Sequence, residues 1–344
     1  MTLQVGVIGA GLMGTTHVRV LGSAVPTAEV VAISDAVPER GEQLARQAGV
    51  DRVTTDALEL IHDPAVEAVV IASTADTHEP FVLACFEAGK PVLCEKPLAA
   101  TPEAARRVLE AEAALGRRLV QVGFMRRFDP AYGQLKARID AGAIGAPLVM
   151  HCAHRNPSVP PAFDTHMILT DAVVHEVDTL RWLLGQEVVR VTVLAPRASS
   201  KAPAGVQDPV MVIFETDAGA VVDVEAFVNA QYAYDIRCEV VGETGTAALG
   251  APGFVDLRSE GTHGTELAMG FQQRFGEAYA RELQSWVAGI ADGVPTGAGA
   301  WDGYAASAVC EAAVAALASG GPTDVALEHR PGLYATAGPL AGGS

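Results

Sequence analysis

Leu3-Gln4-Val5-Gly6-Val7-Ile8-Gly9-Ala10-Gly11-Leu12-Met13-Gly14 is the stretch on which the fold turns. A short, largely apolar run followed by glycines in a G-x-G-x-x-G spacing predicts a buried strand, a tight turn and the start of a helix. Gly9 permits the turn, Gly11 lets a pyrophosphate approach the backbone, and Gly14 lets the helix pack closely on the strand. The helix N-terminus adds the partial positive charge that suits a phosphate. Glycines also mark ordinary turns, so the pattern alone is weak. Its place at the first strand-to-helix junction gives the dinucleotide reading its weight.

Working outward, Val30–Ser34, Val66–Ala72, Val92–Cys94 and Leu119–Val122 are further short apolar runs of the kind found in parallel sheets buried on both faces. Helical stretches lie between them. Pro38 opens one and Gly49 closes it; Thr101-Pro102 opens another and Gly116 follows its last turn. Strand and helix alternating at this spacing predict an α/β fold, an N-terminal doubly wound Rossmann domain over residues 1–123. The second run ends in Asp35, placed to accept from both adenosine ribose hydroxyls and to repel a 2′-phosphate, with Arg40 the nearby cation. A helix-capping or turn role is the bland alternative for Asp35.

After Phe124 the pattern changes. Helical stretches are expected at Ala131–Ala141 and about Thr170–Leu184, with strands at Leu148–Ala153, Val188–Leu194, Val210–Glu215, Val221–Val228 and Ile236–Val241. Asp217-Ala218-Gly219 and Glu243-Thr244-Gly245 are turn signals that make neighbouring strands antiparallel. Two more helices are expected near Phe271–Gly289 and Trp301–Ala318. Residues 124–330 therefore predict a second, α+β domain with an open, mainly antiparallel sheet, followed by a Gly- and Ala-rich tail, 331–344.

Composition bounds the partners. The chain has 344 residues, enough for two domains at about 150 residues each. Its residues are 49% hydrophobic and 19% charged, which supplies a core and excludes intrinsic disorder. A net charge of −17 without a Lys/Arg cluster argues against nucleic acid. The apolar runs fall short of a membrane span. The start shows no basic region or cleavage site, so a cytoplasmic location is expected. Cys85, Cys94, Cys152, Cys238 and Cys310 are scattered, odd in number and without metal-ligand spacing, so they read as small core residues and no metal is expected.

Two segments carry polar groups that a fold alone does not require. Cys94-Glu95-Lys96-Pro97 ends the Val92 strand, and ligands of open α/β sheets bind off the carboxyl ends of strands. Lys96 should point into that cleft, its backbone held extended by Pro97 and open to a cis bond; a solvated surface lysine is the alternative. Asp171 and His175 are four apart, so a helix puts them on one face, with Asp178 a turn further on. Either they form an exposed i,i+4 pair, or His175 is a general base whose ring Asp171 orients.

Together GAGLMG, CEKPLA and DAVVHEVD resemble the glucose–fructose oxidoreductase/inositol dehydrogenase (Gfo/Idh/MocA) family. VQVGFMRR (120–127), HCAHRNP (151–157), YDIRCE (234–239) and AWDGY (300–304) narrow the resemblance to its bacterial inositol dehydrogenases, from the first strand to about Gly320. The resemblance implies that Lys96, Asp171 and His175 are catalytic and that Met125, Arg126, His154, Asn156 and Tyr234 line a polyol pocket. Core filler for Met125, a surface ion pair for Arg126 and turn-capping for His154 and Asn156 are their bland readings. Leu12, Met13, Ser73, Thr74 and Glu95 complete the expected cofactor contacts. Two departures stand out: Ala172 where close relatives have threonine, and Phe271 where they have tryptophan.

The resemblance further implies NAD as cofactor and oxidation of myo-inositol to 2-keto-myo-inositol. Another cyclitol or a pyranose is the alternative substrate, and a non-catalytic NAD-binding sensor the alternative class. It also implies a homotetramer packed through the second-domain sheets, whose uncovered apolar faces would demand a partner.

Overall fold

A computed structural model describes Thr2–Gly250 and Asp256–Ala335. The chain forms two compact units. The first holds the residues up to Gly123, then Glu282–Ala305, then the chain from Leu327; the second holds Phe124–Arg281 and Ala306–Ala326.

In the first unit, β1 (Leu3–Ile8), α1 (Leu12–Ala24), β2 (Ala28–Ser34), α2 (Pro38–Ala48), β3 (Arg52–Thr54), α3 (Ala57–His62), β4 (Ala68–Ile71), α4 (Ala75–Glu87), β5 (Val92–Cys94), α5 (Pro102–Leu115) and β6 (Val120–Val122) alternate. The six strands pair in the order β3-β2-β1-β4-β5-β6, all parallel. This doubly wound order puts the reversal, and hence a ligand crevice, at the carboxyl ends of β1 and β4. Val5, Val7, Ile33, Val69, Val70, Val92 and Leu93 are fully buried, which is why the strands read as unbroken apolar runs. Only β3 escaped the sequence reading: three residues, two of them exposed, carry no apolar run.

The opening segment of the first unit ends at Gly123, and the expected continuous second domain is replaced by interleaved segments. The chain returns to the first unit at Glu282 and again at Leu327. The cause is the open edge of β6, whose backbone groups need partners. Ala298 bridges to Val122, with the Val122 amide donating to the Ala298 carbonyl at 2.9 Å, and Thr296 Oγ1 donates to Gln121 Oε1 at 2.8 Å. The expected loose tail is likewise corrected at its start. Tyr334 is buried and its hydroxyl donates to Glu112, which also accepts from the Leu119 and Val120 amides at 2.6 and 2.7 Å. Residues 336–344 lie outside the described residues.

The second unit contains α6 (Pro130–Asp140), β7 (Pro147–Arg155), α7 (Thr165–Met167), α8 (Val174–Leu184), β8 (Val188–Leu194), β9 (Val210–Thr216), β10 (Val221–Phe227), β11 (Asp235–Gly242), β12 (Thr246–Ala248), β13 (Asp256–Ser259) and β14 (Thr262–Thr265). Of the helices α9 (Phe271–Asp292) and α10 (Ala300–Ser319), the parts Phe271–Arg281 and Ala306–Ser319 belong to this unit, and β15 (Thr323–Asp324) follows. Its main sheet has the order β12-β11-β7-β10-β9-β8-β15, antiparallel except for β7 beside β10. Met150, Cys152, His154, Val212, Phe214, Val222, Val224, Cys238 and Val240 fill its buried face. Cys152 and Cys238, far apart in sequence, sit directly opposite each other on β7 and β11 as free thiols.

The other sheet face is mixed. It carries His151 paired with Asp223, Arg155 with Glu225 at 2.6 Å and Asp235 at 3.1 Å, and Arg237 with Asp235 at 2.8 Å. Between these cross-strand pairs lie the part-exposed Val149, Met211, Ile213 and Phe227.

The expected regular helix from Thr170 is also revised. Ile168–Ala172 is a single π-turn, closed by the Val173 amide on the Ile168 carbonyl at 2.9 Å, and regular helix begins only at Val174. Asp171 and His175 thus stand on either side of a π-to-α junction, a feature frequent at functional sites.

Candidate active site

In the first unit the glycine turn is built as the sequence requires. Gly9 has φ +96°, and a Cβ there would lie 2.5 Å from the Ala72 carbonyl oxygen. A Cβ on Gly14 would lie 1.7 Å from the Gly9 carbonyl oxygen, so helix and strand touch backbone to backbone. Gly11 has open space in front of it, caps α1 without a side-chain bond, and no acidic residue stands in the first turn. Leu12 at the helix start is 60% exposed and Met13 half-buried. Bare amides, a helix N-terminus and an apolar ledge fit a dinucleotide's pyrophosphate and its neighbouring ring.

Asp35 lies where the second strand ends. Its Oδ2 accepts from the Ala10 amide at 2.6 Å and its Oδ1 from the Val37 amide at 2.8 Å. Each oxygen keeps a lone pair for a ribose hydroxyl, so the turn-holding and ribose-binding roles coexist. Ser73 and Thr74 follow β4: Ser73 Oγ shares a hydrogen bond with Thr77 Oγ1 at 2.6 Å, and Thr74 stands at the N-cap of α4 without a side-chain cap bond.

The segment after β5 is held from beneath. Lys96-Pro97 is a cis peptide. Buried Glu95 bonds His17 Nε2 at 2.7 Å and accepts from the Lys96 amide at 3.2 Å; a Cβ on Gly123 would lie 3.1 Å from its carboxyl carbon, so only glycine leaves this space. Glu95 therefore shapes the lysine loop and ties it to α1 through His17. His78, buried in α4, reaches the Pro97 carbonyl with Nδ1 at 2.7 Å and the Ser73 carbonyl with Nε2 at 3.2 Å. Burial lowers its pKa, and the neutral ring donates one proton, to the nearer Pro97 oxygen.

In the second unit Met125 and Arg126 start a short 3₁₀ turn, Met125–Phe128, and both are buried. The sequence alternative of a surface ion pair for Arg126 fails, because the guanidinium is only 2% exposed and donates to Glu176, itself 1% exposed. His154 Nδ1 is 3.0 Å from Glu176 Oε2 and 3.2 Å from Arg126 Nη2. Two donors do not share a hydrogen bond, and the carboxylate can only accept, so Nδ1 carries a proton and donates to Glu176. Burial would raise the Glu176 carboxyl, but the Arg126 charge and His154 overturn that and hold it at about 2.

The other expected pocket residues lie in the same unit. His175 is buried on α8, its ring 6.3 Å from those of Phe124 and His154. Tyr234 packs edge-on to His154 at 6.1 Å and to Phe275 at 6.2 Å, and burial pushes its phenol up to about 12. Asn156 Oδ1 is buried without a hydrogen-bond partner among the described residues, an acceptor left open. Asp171 is half-buried and Ala172 buried, both in the π-turn. Asp178 is taken by Arg127, at 3.0 and 2.5 Å, and is structural. Phe271 stacks edge-on to Tyr279 at 6.1 Å. No cluster able to hold a metal occurs among the described residues.

Sequence reasoning missed Glu176, His17 and His78. The available signal for Glu176 was Arg126-Arg127 set against Glu176 and Asp178, two adjacent cations matched by two alternate carboxylates.

The comparisons agree with this geometry. Residues 3–124 match the oxidoreductase family with an NAD-binding Rossmann fold, and 132–248 the GFO/IDH/MocA C-terminal domain. Inositol 2-dehydrogenase 1 of Saccharopolyspora erythraea is 51% identical over 337 residues, covering 98% of this chain and all of that one. Inositol 2-dehydrogenase of Azotobacter vinelandii is 47% identical over 338 residues, with 98% and 100% covered. The crystal structure of Lactobacillus casei myo-inositol dehydrogenase in complex with NAD(H) and myo-inositol superposes with a TM-score of 0.94 at 36% identity, over 97% of this chain and all of that one. With both of its halves matched in order, and with relatives near half identity along nearly its whole length, the chain belongs to the GFO/IDH/MocA family of NAD-binding oxidoreductases.

Proposed function

We propose that this oxidoreductase converts myo-inositol to 2-keto-myo-inositol (scyllo-inosose), with NAD as the hydride acceptor. The observation that carries the reading is the buried Arg126–Glu176–His154 group beside His175. A ring with a hydroxyl on every carbon needs acceptors and donors of fixed sense, and such a group fixes them. His154 Nε2 and Asn156 Oδ1 would hydrogen-bond ring hydroxyls.

A bound nicotinamide ring would supply the acceptor for the hydride that leaves the reacting carbon. The hydroxyl proton passes to the His175 imidazole as the C–O bond becomes a carbonyl. Lys96 donates a hydrogen bond to that oxygen and stabilises its developing negative charge, and Asp171 orients His175 and offsets the imidazolium. Asp35 selects NAD over NADP by accepting from the ribose and opposing a 2′-phosphate. We further propose that the enzyme works in the cytosol as a homotetramer, with the outer face of the second sheet as the packing surface. Light scattering of the purified chain tests the assembly.

The deciding experiment for the reaction follows NAD reduction with myo-, scyllo- and D-chiro-inositol and with pyranose aldoses. Turnover of myo-inositol is expected; activity confined to pyranoses would refute the assignment. Ala172 is the position most apt to shift preference among the inositol isomers.

A further inference from the structure

The first unit holds a cavity of about 440 Å³ at the end of its sheet opposite Lys96. Its walls begin at Pro91, just before β5, and at Arg117–Gln121, which lead into β6; the C-terminal half of α9 and Leu333 close it. Lys96 stands two residues past Cys94, the last residue of β5, so the two places lie at opposite ends of the same strand.

The lining is unlike the rest of this acidic chain. Trp286, Ile290 and Leu333 give apolar walls, Arg117 and Arg118 supply two adjacent cations, and no carboxylate is among the lining residues. Arg117 has no ion-pair partner among the described residues, and Arg118, which makes no direct ion pair, lies in the field of the buried Glu112 carboxylate. Arg118 is nevertheless held in place. Its Nη2 donates to the Gly297 carbonyl at 3.3 Å, its guanidinium lies 5.9 Å from the Tyr334 ring centre, and it packs where a Cβ on Gly299 would stand 2.9 Å away. Its Nε is buried without a hydrogen-bond partner. Gln121 is 3% exposed; its Oε1 is occupied by Thr296, and its Nε2 is also buried without a partner. Buried donors left unmatched are rare and call for a ligand or a cost.

We propose that this cavity is a second small-molecule site, which takes an organic carboxylate. The carboxylate would accept from Arg118 Nε and Gln121 Nε2, with Arg117 at the rim, and the apolar body would lie against Trp286, Ile290 and Leu333. The volume and the mix of apolar wall with few directed polar groups are those of a ligand pocket. A guanidinium already fixed by the protein loses little freedom on binding.

The test is calorimetric titration of the NAD-saturated full chain with benzoate and, as its uncharged analogue, benzamide. Benzoate should bind at one saturable site per chain, benzamide at least about tenfold more weakly, and Arg118→Met and Gln121→Leu should each weaken benzoate at least about tenfold. Arg117→Met, on the exposed rim, should weaken it less and serves if the buried variants fail to fold. Inositol turnover should be unchanged in the Arg117 variant. No saturable benzoate binding, equal binding of benzamide, loss of the site on adding NAD, or binding untouched by the folded variants would each overturn the proposal.

Discussion

Replacing Glu176 with glutamine removes one charge and almost no volume, yet it strands a guanidinium that is 2% exposed. Holding the Glu176 carboxyl at about 2 instead of the ordinary 4.5 corresponds to about 3 kcal/mol in favour of the folded state at neutral pH. Removing one partner of a buried ion pair typically costs about 3–5 kcal/mol, so two routes agree. For a domain of this size the variant should melt roughly 6–20 °C lower. Because the folded pKa is depressed, the contribution is complete above about 4.5 and is lost as pH falls toward 2. The gap between parent and variant, read by urea unfolding, should therefore be full at pH 7 and narrow below about pH 4.5. There is also a functional readout. The glutamine oxygen can still accept from His154 Nδ1, but the charge that holds Arg126 and His154 in place is gone, so KM for inositol should rise at least about tenfold while NAD affinity holds. An unchanged melting temperature, or an unchanged KM, would refute the reasoning.

Four further outcomes are expected. His175→Ala should lower kcat by about 10²–10⁴ and abolish the rise of rate with pH, with NAD affinity kept by fluorescence titration; near-full activity would place the base elsewhere. Asp35→Ser should weaken NAD and admit NADP, read as a fall in the ratio of the two kcat/KM values; an unmodified enzyme using both cofactors would show that Arg40 reaches the 2′-phosphate. Gly14→Ala sets a methyl 1.7 Å from a backbone oxygen, so NAD binding should vanish or the chain fail to fold; normal NAD binding by a folded variant would contradict the close packing of α1. Ala172→Thr should change the ratio of kcat/KM between inositol isomers more than it changes stability, and an unmoved ratio would show that position 172 does not face substrate.

The doubly wound half was legible because its strands are buried on both faces and its glycine turn has few alternatives. Val5, Val7, Val69 and Val70 carry no exposed partner residues to blur the pattern. The return of residues 296–298 to the edge of β6 was not legible, since edge pairing depends on backbone groups that any sequence supplies. The π-turn at Ile168–Ala172 likewise leaves no side-chain signature. Glu176 was hidden by its neighbourhood: next to His175 on a helix it reads as a solvated carboxylate, and only the arrival of Arg126 from fifty residues upstream explains its burial.

The divided first unit bears on how this chain leaves the ribosome. Its sheet strands are all made by Gly123, but the pieces that close its edge lie beyond Arg281. At about 5–20 residues per second, roughly 160 residues of the second unit are synthesised first, a delay on the order of 10–30 s. During that interval Val122 has no Ala298 to pair with, Gln121 no Thr296, and the Glu112 carboxyl no Tyr334. The nascent Rossmann half thus waits with an unpaired strand edge, the state most exposed to wrong partners. Completion of the cofactor-binding unit is tied to the finishing of the whole polypeptide.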